Sequence, residues 1–211
     1  KFFEIYHSTD GQNASLDENI ELTEWLESNL EKFDIVVVPD YGNGFITDSM
    51  TKVISRKSKF LAINTQINSG NRGYHVVNRY KTANFISLNE PEIRLARHNL
   101  QESIADLSKI TAKMLNADVI SVTLGSKGLY TYSVNQDHSF KVPALSSNVV
   151  DRVGAGDAFL SLAAICLGSG INAEVSSFLG ATAAAIDVQI VGNQTTINNI
   201  DLVKYISSLL K

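Results

Sequence analysis

The sequence has a single cysteine, Cys166, so no internal disulfide can form. It sits in an apolar helical stretch and reads as a buried structural thiol. No apolar run is long enough for a membrane-spanning helix. No secretory signal is visible either, which makes the cytoplasm the default expectation. Basic runs are also missing. With a net charge of −4, the chain carries no electrostatic footprint for nucleic acid or for a membrane surface. Two nucleotide fingerprints are absent as well. The Gly-x-x-x-x-Gly-Lys spacing of a phosphate-binding Walker loop does not occur. No Gly-x-Gly-x-x-Gly follows a strand, which removes a dinucleotide-dependent dehydrogenase. There is no internal repeat, low-complexity tract or linker. What remains is a 211-residue chain, 44% hydrophobic and 19% charged, sufficient for one α/β domain with a full core.

Strand-like and helix-like segments alternate. Residues 2–6 read as a short aromatic strand, 7–13 as a polar turn and 17–33 as an amphipathic helix. Residues 34–39 are a β-branched run suited to a strand buried on both faces. A loop over 40–44 follows, and Thr47 caps a helix through residue 57. The pattern continues with a strand at 60–63, a long polar loop over 64–81, a strand at 84–88 and helices at 90–100 and 103–115. A strand at 118–124 leads into a hairpin, 128–133 with 139–142. Three helices close the chain, at 155–167, 173–188 and 199–210. Such alternation predicts right-handed crossovers and a mainly parallel sheet covered on both faces, with ligands beyond the carboxyl ends of its strands.

The chain is organised around Asp151-Arg152-Val153-Gly154-Ala155-Gly156-Asp157-Ala158-Phe159. Its glycines fall where a loop turns into a helix. That place gathers unpaired amides and the positive end of the helix dipole, so an anion is its natural occupant. Asp157 is the odd residue there, because a carboxylate repels a phosphate. It is explained if it must take a proton from a hydroxyl that attacks phosphorus. The plainer alternative is a helix-capping acid.

Asp-x-x-Gly-Ala-Gly-Asp-Ala-Phe resembles the C-terminal signature of the PfkB (ribokinase-like) carbohydrate kinases, with Arg152 standing where Thr is commoner. The resemblance implies a three-layer α/β/α fold with a mainly parallel central sheet. It implies Asp157 as catalytic base, and the amides of Gly154, Ala155 and Gly156 as an anion hole. It implies ATP and Mg²⁺, and more weakly a monovalent cation such as K⁺ near Asp151.

Further motifs fit the same family. Asn89-Glu90-Pro91-Glu92 reads on its own as a capping box. In the family, Asn-x-x-Glu helps to position Mg²⁺, partly through water, which assigns that role to Asn89 and Glu92. Thr123-Leu124-Gly125-Ser126-Lys127-Gly128 reads on its own as a tight turn. The similar family loop lies along the nucleotide, which singles out Thr123, Gly125 and Gly128. The small-residue segment around Ala183 matches the family's adenine pocket, and Asn193 just beyond it is a candidate for the base. Asp40-Tyr41-Gly42-Asn43-Gly44 resembles the Asp-Tyr-Gly-Lys-Gly of heptose-phosphate kinases, as in ADP-heptose synthases. It makes Asp40, Gly42 and Asn43 the substrate candidates, with Asn43 departing from the lysine and Gln66 from a second one. Arg72, Arg79 and Lys81 in the polar loop are candidate partners for a substrate phosphate.

Kinases of this family run to roughly 300 residues, so the resemblance covers about their C-terminal two-thirds. Residues 1–7 then correspond to the last strand of a lid, most of which lies upstream with the N-terminal part of the sugar site. The leading reading is an ATP-dependent kinase of a sugar or sugar phosphate, such as a heptose 7-phosphate. A homodimer and a fused nucleotidyltransferase domain are compatible with it. The chain alone would be nearly inactive if the acceptor site is incomplete, because positioning carries most of phosphoryl transfer. The alternative is a module that binds nucleotide or sugar without turnover.

Overall fold

The structure, a computed structural model, describes residues 16–68, 70–71, 73–192 and 194–211, with side chains from residue 19 onward. The expected lid strand at 1–7, Arg72 and Asn193 therefore lie outside the described residues.

Six strands form one sheet in the order of the chain: β1 (Val36–Asp40), β2 (Leu61–Thr65), β3 (Phe85–Asn89), β4 (Val119–Thr123), β5 (Leu129–Ser133) and β6 (His138–Val142). The first four are mutually parallel, and β5 and β6 continue the sheet as an antiparallel hairpin. Helices α1 (Leu16–Asn29), α2 (Asp48–Lys57), α3 (Glu90–Arg97) and α4 (Ile104–Met114) are joined by α5 (Ala155–Gly168), α6 (Ala173–Asp187) and α7 (Asn199–Leu209).

The period of two along the strands sorts side chains into two cores. Ile63, Ile86, Leu88, Ile120 and Val122 face Met50 of α2, Ile93 of α3 and Leu107 of α4. Ala62, Phe85 and Val119 face the other way, onto Phe159, Leu160 and Ala163 of α5. The result is helix on sheet on helix, the expected three layers. Cys166 is buried, also as expected. Among the described residues, no helix is long and apolar enough to cross a membrane.

Among the described residues the helices and strands expected from sequence are present, with shifted ends. The polar loop over 64–81 contains a 3-10 turn (Val77–Arg79), and β1, expected to be buried on both faces, lies at the sheet edge with Val36 and Val37 only half-buried. Thr47 caps α2 by accepting the Met50 amide at 3.3 Å. Helix α3 stops at Arg97 rather than at residue 100. His98 turns left-handed (φ 48°), and its amide and that of Asn99 close onto the carbonyls of Leu95 and Arg94. Four parallel strands place the loops after Asp40, Thr65, Asn89 and Thr123 at one edge of the sheet. The candidate site lies there.

Candidate functional site

Helix α5 begins after Gly154, whose φ of 97° suits glycine, and no side chain caps it. Among the described residues, the amides of Ala155, Gly156 and Asp157 have no acceptor, as expected of a first helical turn. A Cβ placed on Gly156 would meet nothing within 4 Å. The helix start is thus an open cradle of donors with the half-buried Asp157 at its rim. Such a cradle fits a phosphoryl group.

The loop after β1 reaches this helix across 116 positions of sequence: the Tyr41 hydroxyl donates to Asp157 Oδ2 at 2.5 Å. Burial of Tyr41 adds to the effect of that bond, and the phenol is pushed up to about 12, the hydrogen bond to Asp157 being the larger cause. It keeps its proton at neutral pH and acts as a donor.

One residue earlier, Asp40 is only 2% exposed. Its carboxylate accepts from Arg79 Nη1 (2.9 Å), the Tyr80 hydroxyl (2.8 Å) and the Gly42 amide (3.3 Å), and lies 2.9 Å from His75 Nε2. Burial pushes this carboxyl up, but the bond and charge of His75, the Tyr80 hydroxyl and Arg79 outweigh it and leave it below the usual range. A side chain at Gly42 (φ 69°) would run into Asn71 and His75. Asp40 and Gly42, expected to touch substrate, are thereby placed as the anchor of the loop, while Asn43 and Tyr41 are exposed at its surface. Arg79 is withdrawn from the role of phosphate clamp. Its guanidinium is already held by Asp40, the Ile46 carbonyl (2.9 Å) and Asp48 (3.0 Å).

At the end of β3 the capping box is fully formed. Asn89 Oδ1 accepts the Glu92 amide at 2.8 Å, and Glu92 Oε2 accepts the Asn89 amide at 2.7 Å. Glu92 is 4% exposed. Burial pushes its carboxyl up, against hydrogen bonds from the Asn89 and Ile67 amides and the Asn64 side chain. Among the described residues, no group of three or more His, Cys, Asp or Glu side chains could hold a metal ion. Glu92 therefore offers a buried carboxyl at the site edge rather than a ready-made cage, which fits a hydrated Mg²⁺ arriving with phosphate oxygens.

The nucleotide candidates divide. Thr123 is half-buried at the end of β4, and Gly125 (φ 60°) opens a 3-10 turn with nothing within 4 Å of a Cβ built on it. Gly128 (φ 84°) is used internally, since a Cβ there would collide with the backbone of Val142 and Pro143. Ala183 is 4% exposed, within the packing of α6. A cleft of about 440 Å³ between α6 and α7 is lined by Ile186, Gln189, Ile190 and Tyr205 among others, and by none of the candidates for chemistry.

Asp151 accepts the amides of Val153 (3.0 Å) and Gly192 (3.1 Å), which hold its carboxyl low. Sequence reading missed Asp187. Burial, then the charges of Asp151 and Asp157, push its carboxyl up, and its Oδ2 is buried without a partner among the described residues. The available signal was an acid at the end of an otherwise Ala-rich helix.

The sequence profile of pfkB family carbohydrate kinases matches residues 9–200. Bifunctional protein HldE of Campylobacter jejuni subsp. jejuni is 28% identical over 211 residues, covering 93% of this chain and 43% of the relative. Phosphofructokinase-2 from Escherichia coli, solved in complex with potassium, superposes with a TM-score of 0.75 at 15% identity, over 93% of this chain and 63% of that one. Ribokinase of Arabidopsis thaliana, complexed with ribose and ATP, gives 0.65 at 20% identity, over 93% and 61%. The chain thus spans less than half of the curated relative and about three-fifths of the solved kinases.

Proposed function

Because the chain belongs to the pfkB family of carbohydrate kinases, we propose that the protein containing it transfers the γ-phosphate of ATP to a hydroxyl of a sugar or sugar phosphate. The observation that carries this reading is the pairing of an open amide cradle at the start of α5 with the Asp157 carboxylate, which already accepts a hydroxyl at 2.5 Å. A general base must lie within hydrogen-bond reach of the proton it takes. In the transfer, the acceptor oxygen bonds to the γ-phosphorus as its proton passes to Asp157. The bond to the bridging oxygen breaks, and ADP leaves. The amides of Gly154, Ala155 and Gly156 stabilise the charge that builds on the phosphoryl oxygens.

Mg²⁺ would neutralise phosphate charge, with Asn89 and Glu92 orienting its water shell. A monovalent cation beside Asp151 would also offset the charge of Asp187. Thr123 and Gly125 would lie along the nucleotide, with the α6 segment around Ala183 near the base. The Asp40-Tyr41-Gly42-Asn43-Gly44 loop supports a phosphorylated heptose as acceptor. With Arg79 engaged elsewhere, Lys81 or residues outside this chain would meet the acceptor's own phosphate. The relative's bifunctional name supports a second activity in the whole protein, for which the resemblance to ADP-heptose synthases suggests a nucleotidyltransferase domain, and a homodimer and a cytoplasmic location complete the reading.

The test is ATP turnover by the full-length protein with a panel of sugars and sugar phosphates. Acceptor-dependent ADP release with a heptose 7-phosphate supports the whole reading. Preference for an unphosphorylated sugar leaves only the general kinase. ATP binding without turnover on any acceptor points to the non-catalytic module.

A further inference from the structure

The contact between Tyr41 and Asp157 is an addition to a loop already anchored elsewhere. Tyr41 is 42% exposed, so its ring is not a core element. The loop beneath it is fixed without it. Asp40 is held by four donors, and the Tyr41 carbonyl accepts from Asn68 Nδ2 at 2.7 Å. A fixed loop base therefore carries a ring that is 42% exposed, with its hydroxyl on the carboxylate of the first turn of α5.

That hydroxyl has the chemistry of the group the base serves. Like a sugar hydroxyl, it is a neutral O–H donor that makes a short charge-assisted bond to a carboxylate. We propose that Tyr41 guards the base, its hydroxyl filling on Asp157 the place that the acceptor hydroxyl must take, so that a bound sugar displaces it and water does not. A sugar hydroxyl replaces one hydrogen bond with an equivalent one, and its other contacts bias the exchange. A water molecule has no further contacts to drive the ring away. With Asp157 bare beside ATP, the base would take a proton from water, the water oxygen would bond to the γ-phosphorus, and the nucleotide would be lost as ADP and free phosphate. Tyr41 is on this account a specificity-determining residue that separates transfer from hydrolysis.

The inference rests on the reading of Asp157 as base, and the experiment separates the two. Wild type, Tyr41→Phe, Asp157→Asn and the double variant of the full-length protein are compared for ATP hydrolysis without sugar and for transfer with sugar. Tyr41→Phe should raise sugar-independent hydrolysis about tenfold, the equivalent of one hydrogen bond to a charged group. It should also lower the Michaelis constant of the sugar and leave that of ATP unchanged. Asp157→Asn should abolish both the transfer and the added hydrolysis. If Asp157→Asn removes transfer while Tyr41→Phe leaves the hydrolysis-to-transfer ratio and the sugar constant at wild-type values, the guard is refuted and the base stands. If Asp157→Asn retains transfer, the base assignment fails and the guard with it. A merely structural tyrosine would change the melting temperature and leave that ratio alone.

Discussion

Asp40 and Asp157 are the same residue type at the same edge of the sheet, and both are marked by motifs. Their surroundings are opposite. Asp40 is 2% exposed and has a donor for nearly every lone pair, from His75, Arg79, Tyr80 and the Gly42 amide. Asp157 is half-buried and, among the described residues, takes one side-chain hydrogen bond, from Tyr41, beside amides without acceptors. A saturated carboxylate holds a loop in place. An unsaturated one beside a cradle of free amides has lone pairs left for another donor. The difference shows that a motif aspartate is read by its partners, not by its position on the ligand edge.

The largest expected effect belongs to Asp157. Replacing it with Asn should cost roughly two to four orders of magnitude in transfer rate, with no loss of stability in thermal unfolding. Asp40→Asn should do the reverse as its first effect. Leaving Arg79 and His75 around a neutral amide should cost about 3 kcal/mol of stability, measured by urea unfolding, with activity falling only as the loop loosens. The sign with pH follows from its lowered carboxyl. The stabilisation is complete above the ordinary value of 3.8 and is lost as pH falls through the lower folded value, a dependence that Asp40→Asn lacks.

Glu92 sharpens the comparison from between the two, being buried like Asp40 but pushed up rather than down. Glu92→Gln keeps an acceptor for the Asn89 amide, so a modest stability change is expected. Because the folded carboxyl binds its proton more readily than the unfolded one, wild type should gain stability over the variant as pH falls from the raised value toward 4.5. An increased Mg²⁺ requirement for half-maximal activity would add the metal role to the cap. An unchanged requirement would leave the cap alone. The smallest effect is expected at Asp187→Asn. Relief of repulsion from Asp151 and Asp157 should raise stability at neutral pH by less than about 1 kcal/mol, at most roughly 2–4 °C in a chain of this size. The gain should vanish as acid protonates Asp187.

Much of this was legible in sequence because it is local. The β-branched run of β1, the Thr47 cap, the Asn89–Glu92 box and the glycines before α5 each act within a few residues, where period and capping chemistry decide the outcome. The contacts that divide the two aspartates are not local. His75, Arg79 and Tyr80 meet Asp40 from 35 to 40 positions away, out of a loop without periodicity. Tyr41 meets Asp157 over 116 positions, through a fold that only the whole sheet creates. Asp187 is hidden in sequence at the end of an Ala-rich helix, where nothing local distinguishes it. Arg79 shows the converse error. A basic residue in a polar loop looks free in sequence, and only the fold reveals that its charge is already taken.

The most direct test is the affinity of the Asp157→Asn variant for ATP, measured by titration beside wild type. If Asp157 serves the chemistry, removing a negative charge from the rim of the phosphate cradle leaves ATP binding as tight as in wild type, or tighter, while transfer collapses. If ATP affinity falls together with transfer, Asp157 is a residue that holds the start of α5 in shape, and the division of labour between the two aspartates is contradicted.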